Sequence, residues 1–153
     1  MAQGPYVVTG ASKGIGRAIS QQLAAQGYPV LALARPSRAL DEIGEELALC
    51  CPGSFAIACD LSQPNDIKQA AERICQHFPW IAGLVHNAGT IFPVSPLAQI
   101  EINDWSHSID VNLIGVQDLT QRLMANMGGA QQSRVTTISS GAALSPVESW
   151  SAY

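Results

Sequence analysis

Tyr6-Val7-Val8-Thr9-Gly10-Ala11-Ser12-Lys13-Gly14-Ile15-Gly16 is the stretch on which the fold turns. It begins as a strand-length, β-rich run, breaks at Gly10, and passes into a segment where Ile15, Ile19 and Leu23 recur every four residues up to a stop at Gly27. The order is therefore strand, glycine turn, helix. Glycine is required where backbone turns with positive φ and where a pyrophosphate must approach main-chain N–H groups at a helix N-terminus. Three glycines at G-x-x-x-G-x-G spacing on such a junction make Gly10, Ser12, Lys13, Gly14, Ile15 and Gly16 candidate dinucleotide-binding residues.

The same alternation continues outward. Pro29 to Ala34 is a continuous apolar run, as a strand covered on both faces requires, and Ser37 to Leu49 reads as the next helix. Ser54 to Cys59 repeats the strand, after which Ser62 is placed to cap a helix running to about Phe78. Gly83 to His86 is a short fourth strand, Asn103 to Met127 a long helix, and Arg134 to Ile138 a fifth strand. Strands that alternate with helices predict an α/β domain with a doubly wound parallel sheet, because parallel neighbours need helical crossovers.

Composition is consistent with one domain. The 153 residues match a single core of roughly 150, and 47% hydrophobic against 13% charged residues is the balance of a chain that folds. A net charge of −4 leaves no surplus to neutralise a run of phosphates, so nucleic acid is not an expected partner. No apolar run approaches the ~20 residues that span a bilayer, and Met1 to Gly10 has no signal-peptide pattern, which predicts a cytoplasmic protein without membrane contact. Cys50, Cys51, Cys59 and Cys75 contain no C-x-x-C, and His77, His86 and His107 lack zinc-ligand spacing, so the thiols read as packing groups and no metal is expected.

The second strand ends at Ala34-Arg35, where an NAD-specific site places an acidic residue against the ribose 2′-hydroxyl. A guanidinium suits a 2′-phosphate instead, with Lys13 adjacent and Arg38 in reserve, so NADP(H) is the expected cofactor. In the long helix Ile109, Asn112, Val116 and Leu119 step by three, four and three, which puts an amide on the inner face. There it must be bonded to backbone or water.

With these residues in place the chain resembles the N-terminal part of the short-chain dehydrogenase/reductase family. Thr9-Gly10-x-x-x-Gly14-x-Gly16 is similar to that family's cofactor turn. Asp60-Leu61, Asn87-Ala88-Gly89, Asn112 and Ile138-Ser139-Ser140 follow in the family's order, and Ser140 precedes Tyr153 by the family's 13 residues. The resemblance implies a Rossmann fold in which Asp60 and Leu61 lie on the adenine side and Asn87, Ala88 and Gly89 shape the cofactor cleft. It further implies that Ser140 polarises a substrate carbonyl, that Tyr153 is the general acid/base, and that Asn112 distorts its helix and anchors a water of the proton relay. His86 stands where asparagine is commoner and reads as a tolerated variant.

The implied reaction is hydride transfer between a nicotinamide and a small carbonyl or alcohol, with Tyr153 exchanging the proton. Free tyrosine, with a pKa of about 10, is a poor base at neutral pH. Family members supply a lysine four residues later, a position beyond Tyr153, the last residue. The fifth strand would also be an uncovered edge and residues 139–153 a terminal loop. The 153 residues are therefore expected to be a fragment, inactive alone, of a parent that is a homodimer or homotetramer. Ser149-Trp150-Ser151-Ala152-Tyr153 and Ala34-Arg35 are similar to the sepiapterin reductase and benzil reductase branch. A 3-oxoacyl-carrier-protein reductase, or a non-catalytic NADP(H)-binding sensor, are the alternatives.

Overall fold

In a computed structural model that describes residues 4–128 and 132–153, the turn lies at the centre of the sheet. Residues 1–3 and 129–131 of the expected 1–153 domain fall outside the described residues. Five strands, β1 Tyr6–Thr9, β2 Val30–Ala34, β3 Phe55–Ala58, β4 Gly83–His86 and β5 Arg134–Thr137, form one parallel sheet in the order β3-β2-β1-β4-β5. Its helices are α1 Gly14–Ala25, α2 Arg38–Cys50, α3 Pro64–His77, α4 Ile102–Ile109 and α5 Gly115–Leu123. The expected doubly wound α/β fold is the fold observed.

Alternate strand residues feed opposite cores. Val7, Leu31, Leu33, Ile57 and Leu84 pack with Ile67 and Ile74 of α3 and Leu119 and Leu123 of α5. Their neighbours Val8, Val30, Ala32 and Val85 pack with Leu40, Ile43 and Leu47 of α2 and Ala24 of α1. Burial on both sides explains why β2 reads as an unbroken apolar run.

Several local expectations are corrected. The inner face of α1 is Gly16, Ser20 and Ala24, whereas Ile19 and Leu23 sit at its margin and Ile15 is 63% exposed. Small residues win because α1 approaches the sheet too closely for branched ones. Ser62 does not cap α3: its N–H and its hydroxyl both donate to Asp60 Oδ1, and Pro64 opens the helix behind Gln63. Ser37 does cap α2, accepting from Leu40 N–H at 3.3 Å. The segment expected as one helix from Asn103 to Met127 is α4, a π-helical turn over Asp110–Ile114, then α5. The extra residue of that turn re-phases the helix, and Asn112 lies inside it.

Among the described residues β5 pairs with β4 alone, and all four residues of β5 are exposed. Among the described residues no helix is long and apolar enough to cross a membrane.

Candidate active site

The strand order reverses between β1 and β4, and this is where an open α/β sheet parts to form a crevice at its carboxyl edge. Thr9, the last residue of β1, holds the two sides in register. Its Oγ1 accepts from the N–H groups of Asn87 and Ala88, both at 3.0 Å, and donates to the Val85 carbonyl. Asn87 Nδ2 returns bonds to the carbonyls of Thr9 and Gly10 at 3.0 and 3.3 Å.

Each glycine of the turn has its own cause. Gly10 and Gly14 have φ of +65° and +56°. Gly16 is needed for proximity, since a Cβ there would lie 2.4 Å from both Asn87 Nδ2 and the Gly10 carbonyl oxygen. Gly14 and Gly16 thus shape the turn from beneath, while Gly10, Ser12 and Lys13 line a cavity of about 1010 Å³ above it.

That cavity extends past the ends of β2 and β3 to Arg35, Asp60 and Leu61, and is bounded on the β4 side by Ala88 and Gly89. Arg35 and Lys13 are exposed, and among the described residues neither has an ion-pair partner. Arg38, the expected reserve cation, points elsewhere and pairs with Glu42 at 2.8 Å. The Asp60 turn is held from below, its N–H donating to Asp66 Oδ2 at 3.1 Å. Cys59 also borders the cavity; burial, then Asp66 and Asp60, pushes its thiol up to about 12. It remains protonated at neutral pH and offers no nucleophile.

A second cavity, about 540 Å³, adjoins the first and brings together Asn112, Ser140 and Tyr153, with Ile15, Asn87, Ala88 and Gly89 on its cofactor side. Asn112 is the strut of this region: Oδ1 accepts from Thr90 N–H at 2.9 Å, and Nδ2 donates to the Thr90 carbonyl at 2.8 Å and the Ala152 carbonyl at 3.3 Å. The amide bonds to backbone as expected, but it is only half-buried, and the π-helical turn, not a regular helical phase, sets its position. It ties the loop after β4 to the peptide next to Tyr153. Ser140 Oγ accepts from Ala142 N–H at 3.2 Å, leaving its own proton available, and the Tyr153 ring packs edge-on to Trp150 at 5.6 Å.

Sequence reasoning had Thr9 only as the first residue of the cofactor turn and missed its bonding role, which depends on a residue 78 positions away. It also missed Ser37 and His107 at the cavity rim. Neither has a local signature, because the crossovers that bring them to the crevice are set by the sheet order.

A glycine-cradled crevice at the switch point of a doubly wound sheet defines a dinucleotide-binding protein of the Rossmann type. A family model described as short chain dehydrogenase matches residues 6–153, and the chain belongs to that family of oxidoreductases. It is 29% identical to serine 3-dehydrogenase of Agrobacterium fabrum, over 94% of this chain and 56% of that protein. To the 3-oxoacyl-(acyl-carrier-protein) reductase FabG of Staphylococcus aureus it is 32% identical, over 88% of this chain and 54% of that one. Among solved structures, a metagenomic short-chain oxidoreductase in complex with NADP superimposes with a TM-score of 0.90 at 32% identity, covering 99% of this chain and 69% of that chain. The oxidoreductase yciK from E. coli gives 0.86 at 28%, covering 100% and 64%. The chain spans about half the length of the curated relatives it matches, 57% for the first of them.

Proposed function

We propose that the chain is the NADP(H)-binding and proton-transferring portion of an oxidoreductase that reduces a small carbonyl compound, a carbonyl reductase in type. The observation that carries this reading is the convergence of Asn112, Ser140 and Tyr153 on a cavity continuous with the glycine-lined crevice.

The residues present fit such a cofactor. Gly16 leaves room that a Cβ would fill, and the cavity over Gly10, Ser12 and Lys13 encloses about 1010 Å³ and reaches from Arg35 to Gly89. Two exposed cations, Arg35 and Lys13, meet a 2′-phosphate at the adenosine end; Arg35 offers a planar fork and Lys13 a point charge. Asp60 and Leu61 receive the adenine, and Asn87, Ala88 and Gly89 form the inner wall. Bound NADPH supplies a hydride.

The chain's own groups do the rest. Ser140 Oγ–H donates to the substrate carbonyl oxygen and draws charge onto it. Tyr153 Oη–H delivers the proton to that oxygen as the carbon is reduced. Asn112 fixes the Ala152 carbonyl and so the approach of Tyr153. Self-association as a homodimer or homotetramer belongs to the same reading, supported by the exposed Ile102, Leu113, Ile114 and Met124.

The test is NADPH oxidation by the full-length protein that contains this chain, against a panel of ketones, aldehydes and a 3-oxoacyl thioester, with benzil and a pterin side-chain ketone added because of the Ser149–Tyr153 motif. Tyr153→Phe is expected to lose roughly 10² to 10⁴-fold in kcat while retaining NADPH affinity. If Tyr153→Phe turns over within a factor of two of the unaltered protein, Tyr153 is not the proton donor.

A further inference from the structure

Among the described residues, the cavity of about 540 Å³ that gathers Asn112, Ser140 and Tyr153 is lined by no Asp, Glu, Lys or Arg. Its titratable side chains are His86 and Tyr153, and burial pushes the His86 pKa down, which keeps that ring neutral. Glu148, on the loop that leads to Tyr153, is exposed and lies outside that lining. The amides offer a charge little. Both ends of the Asn112 side chain are committed to the backbone of Thr90 and Ala152, and Asn87 Nδ2 to that of Thr9 and Gly10. Beside Tyr153 there remain the hydroxyls of Thr137, Ser139 and Ser140 and an aliphatic set, Ile91, Val116, Ile138 and Ala143.

The neighbouring cavity is the opposite case, lined by Lys13, Arg35 and Asp60, none of which borders the second. Charge therefore gathers at the adenosine end of the crevice and is missing where Ser140 and Tyr153 converge. A carboxylate or ammonium brought there gives up water without gaining an opposite charge, whereas an uncharged chain covers the aliphatic wall at no such cost. We infer that this site takes uncharged carbonyl compounds, aliphatic or aromatic ketones and aldehydes, and rejects analogues of the same shape that carry a carboxylate or an ammonium near the carbonyl. The inference names the substrate class of the function proposed above and rests on that reading.

The experiment measures kcat/KM for NADPH-dependent reduction by the full-length protein that contains this chain, within two matched pairs. Methyl 5-oxohexanoate is set against 5-oxohexanoate, and 6,6-dimethylheptan-2-one against trimethyl(4-oxopentyl)ammonium. In both pairs the charge is insulated from the carbonyl by methylene groups, so the intrinsic reactivity of the carbonyl is matched. The neutral member is expected to be favoured by about tenfold or more in each pair. A smaller ratio in either pair overturns the inference.

Ala143, exposed on the turn Gly141–Ala143, tests whether this wall does the selecting. Ala143→Lys places a cation there and is expected to narrow the preference for ester over carboxylate while widening that for ketone over ammonium. Ratios that do not move in a variant with an unchanged melting temperature would put the selection elsewhere and overturn the assignment. If none of the four compounds is reduced, the proposed function falls, and saturation-transfer NMR of the same compounds with the same protein still decides the substrate class. Binding of the neutral members alone sustains it; binding of a charged member as well, or of none, overturns it.

Discussion

Gly16 shows how a single residue sets the depth of the crevice. Alanine is the better helix former by about 1 kcal/mol, so propensity alone favours Gly16→Ala. A Cβ 2.4 Å from Asn87 Nδ2 and the Gly10 oxygen opposes this, and overpacking costs about 1–3 kcal/mol. Overpacking is the larger effect: Gly16→Ala is expected to lower the urea midpoint, and equal or higher stability would show that the helix moves off without cost. His86 gives a residue-scale pH signature. Because burial lowers its folded-state pKa, unfolded chains take up a proton that the folded ring refuses. Its contribution is fully present above the unfolded value of about 6.5 and is lost as pH falls from there through the lowered folded value. His86→Gln, which cannot titrate, should flatten the acid slope of the melting temperature; an unchanged slope would assign that slope to other groups. Gly10, Gly14 and Gly16 were legible in the sequence because the chemistry at each is local. The bonding role of Thr9 was not, since its partners come from another strand.

At the scale of elements, the sequence located the five described strands and the inner face of α3, and erred on the inner face of α1. Ile15, Ile19 and Leu23 form an apolar stripe, yet Gly16, Ser20 and Ala24 face the sheet. Periodicity reports which side is apolar, whereas close packing selects the side that is small. The long helix hides its π-helical turn for a similar reason: one added residue changes the phase and leaves the composition alone. Gly115 follows directly after that turn and opens α5. The structure uses it internally, because a Cβ would lie 2.1 Å from the Leu61 carbonyl oxygen. Gly115→Ala must therefore push α5 away from Leu61, at a cost of about 1–3 kcal/mol in chemical denaturation. An unperturbed midpoint would mean that this contact is looser than its geometry.

For the whole molecule, the order β3-β2-β1-β4-β5 matters more than any one motif, since it opens the sheet beside the glycine turn. That order was implied by family resemblance and not by spacing, because parallel crossovers leave no trace of which neighbour each strand joins. Although the molecule carries a net charge of −4, Lys13 and Arg35 stand exposed together at the crevice. Charge is thus distributed against the overall balance at the one place where a 2′-phosphate would rest. Titrating the protein and its Arg35→Asp variant with NADPH and NADH, followed by nicotinamide fluorescence, tests this most directly. The account predicts that the unaltered protein binds NADPH at least about tenfold more tightly, as loss of a charge-assisted pair requires, and that Arg35→Asp removes or reverses the preference. Equal affinity for the two dinucleotides, or a preference untouched by the substitution, would contradict it.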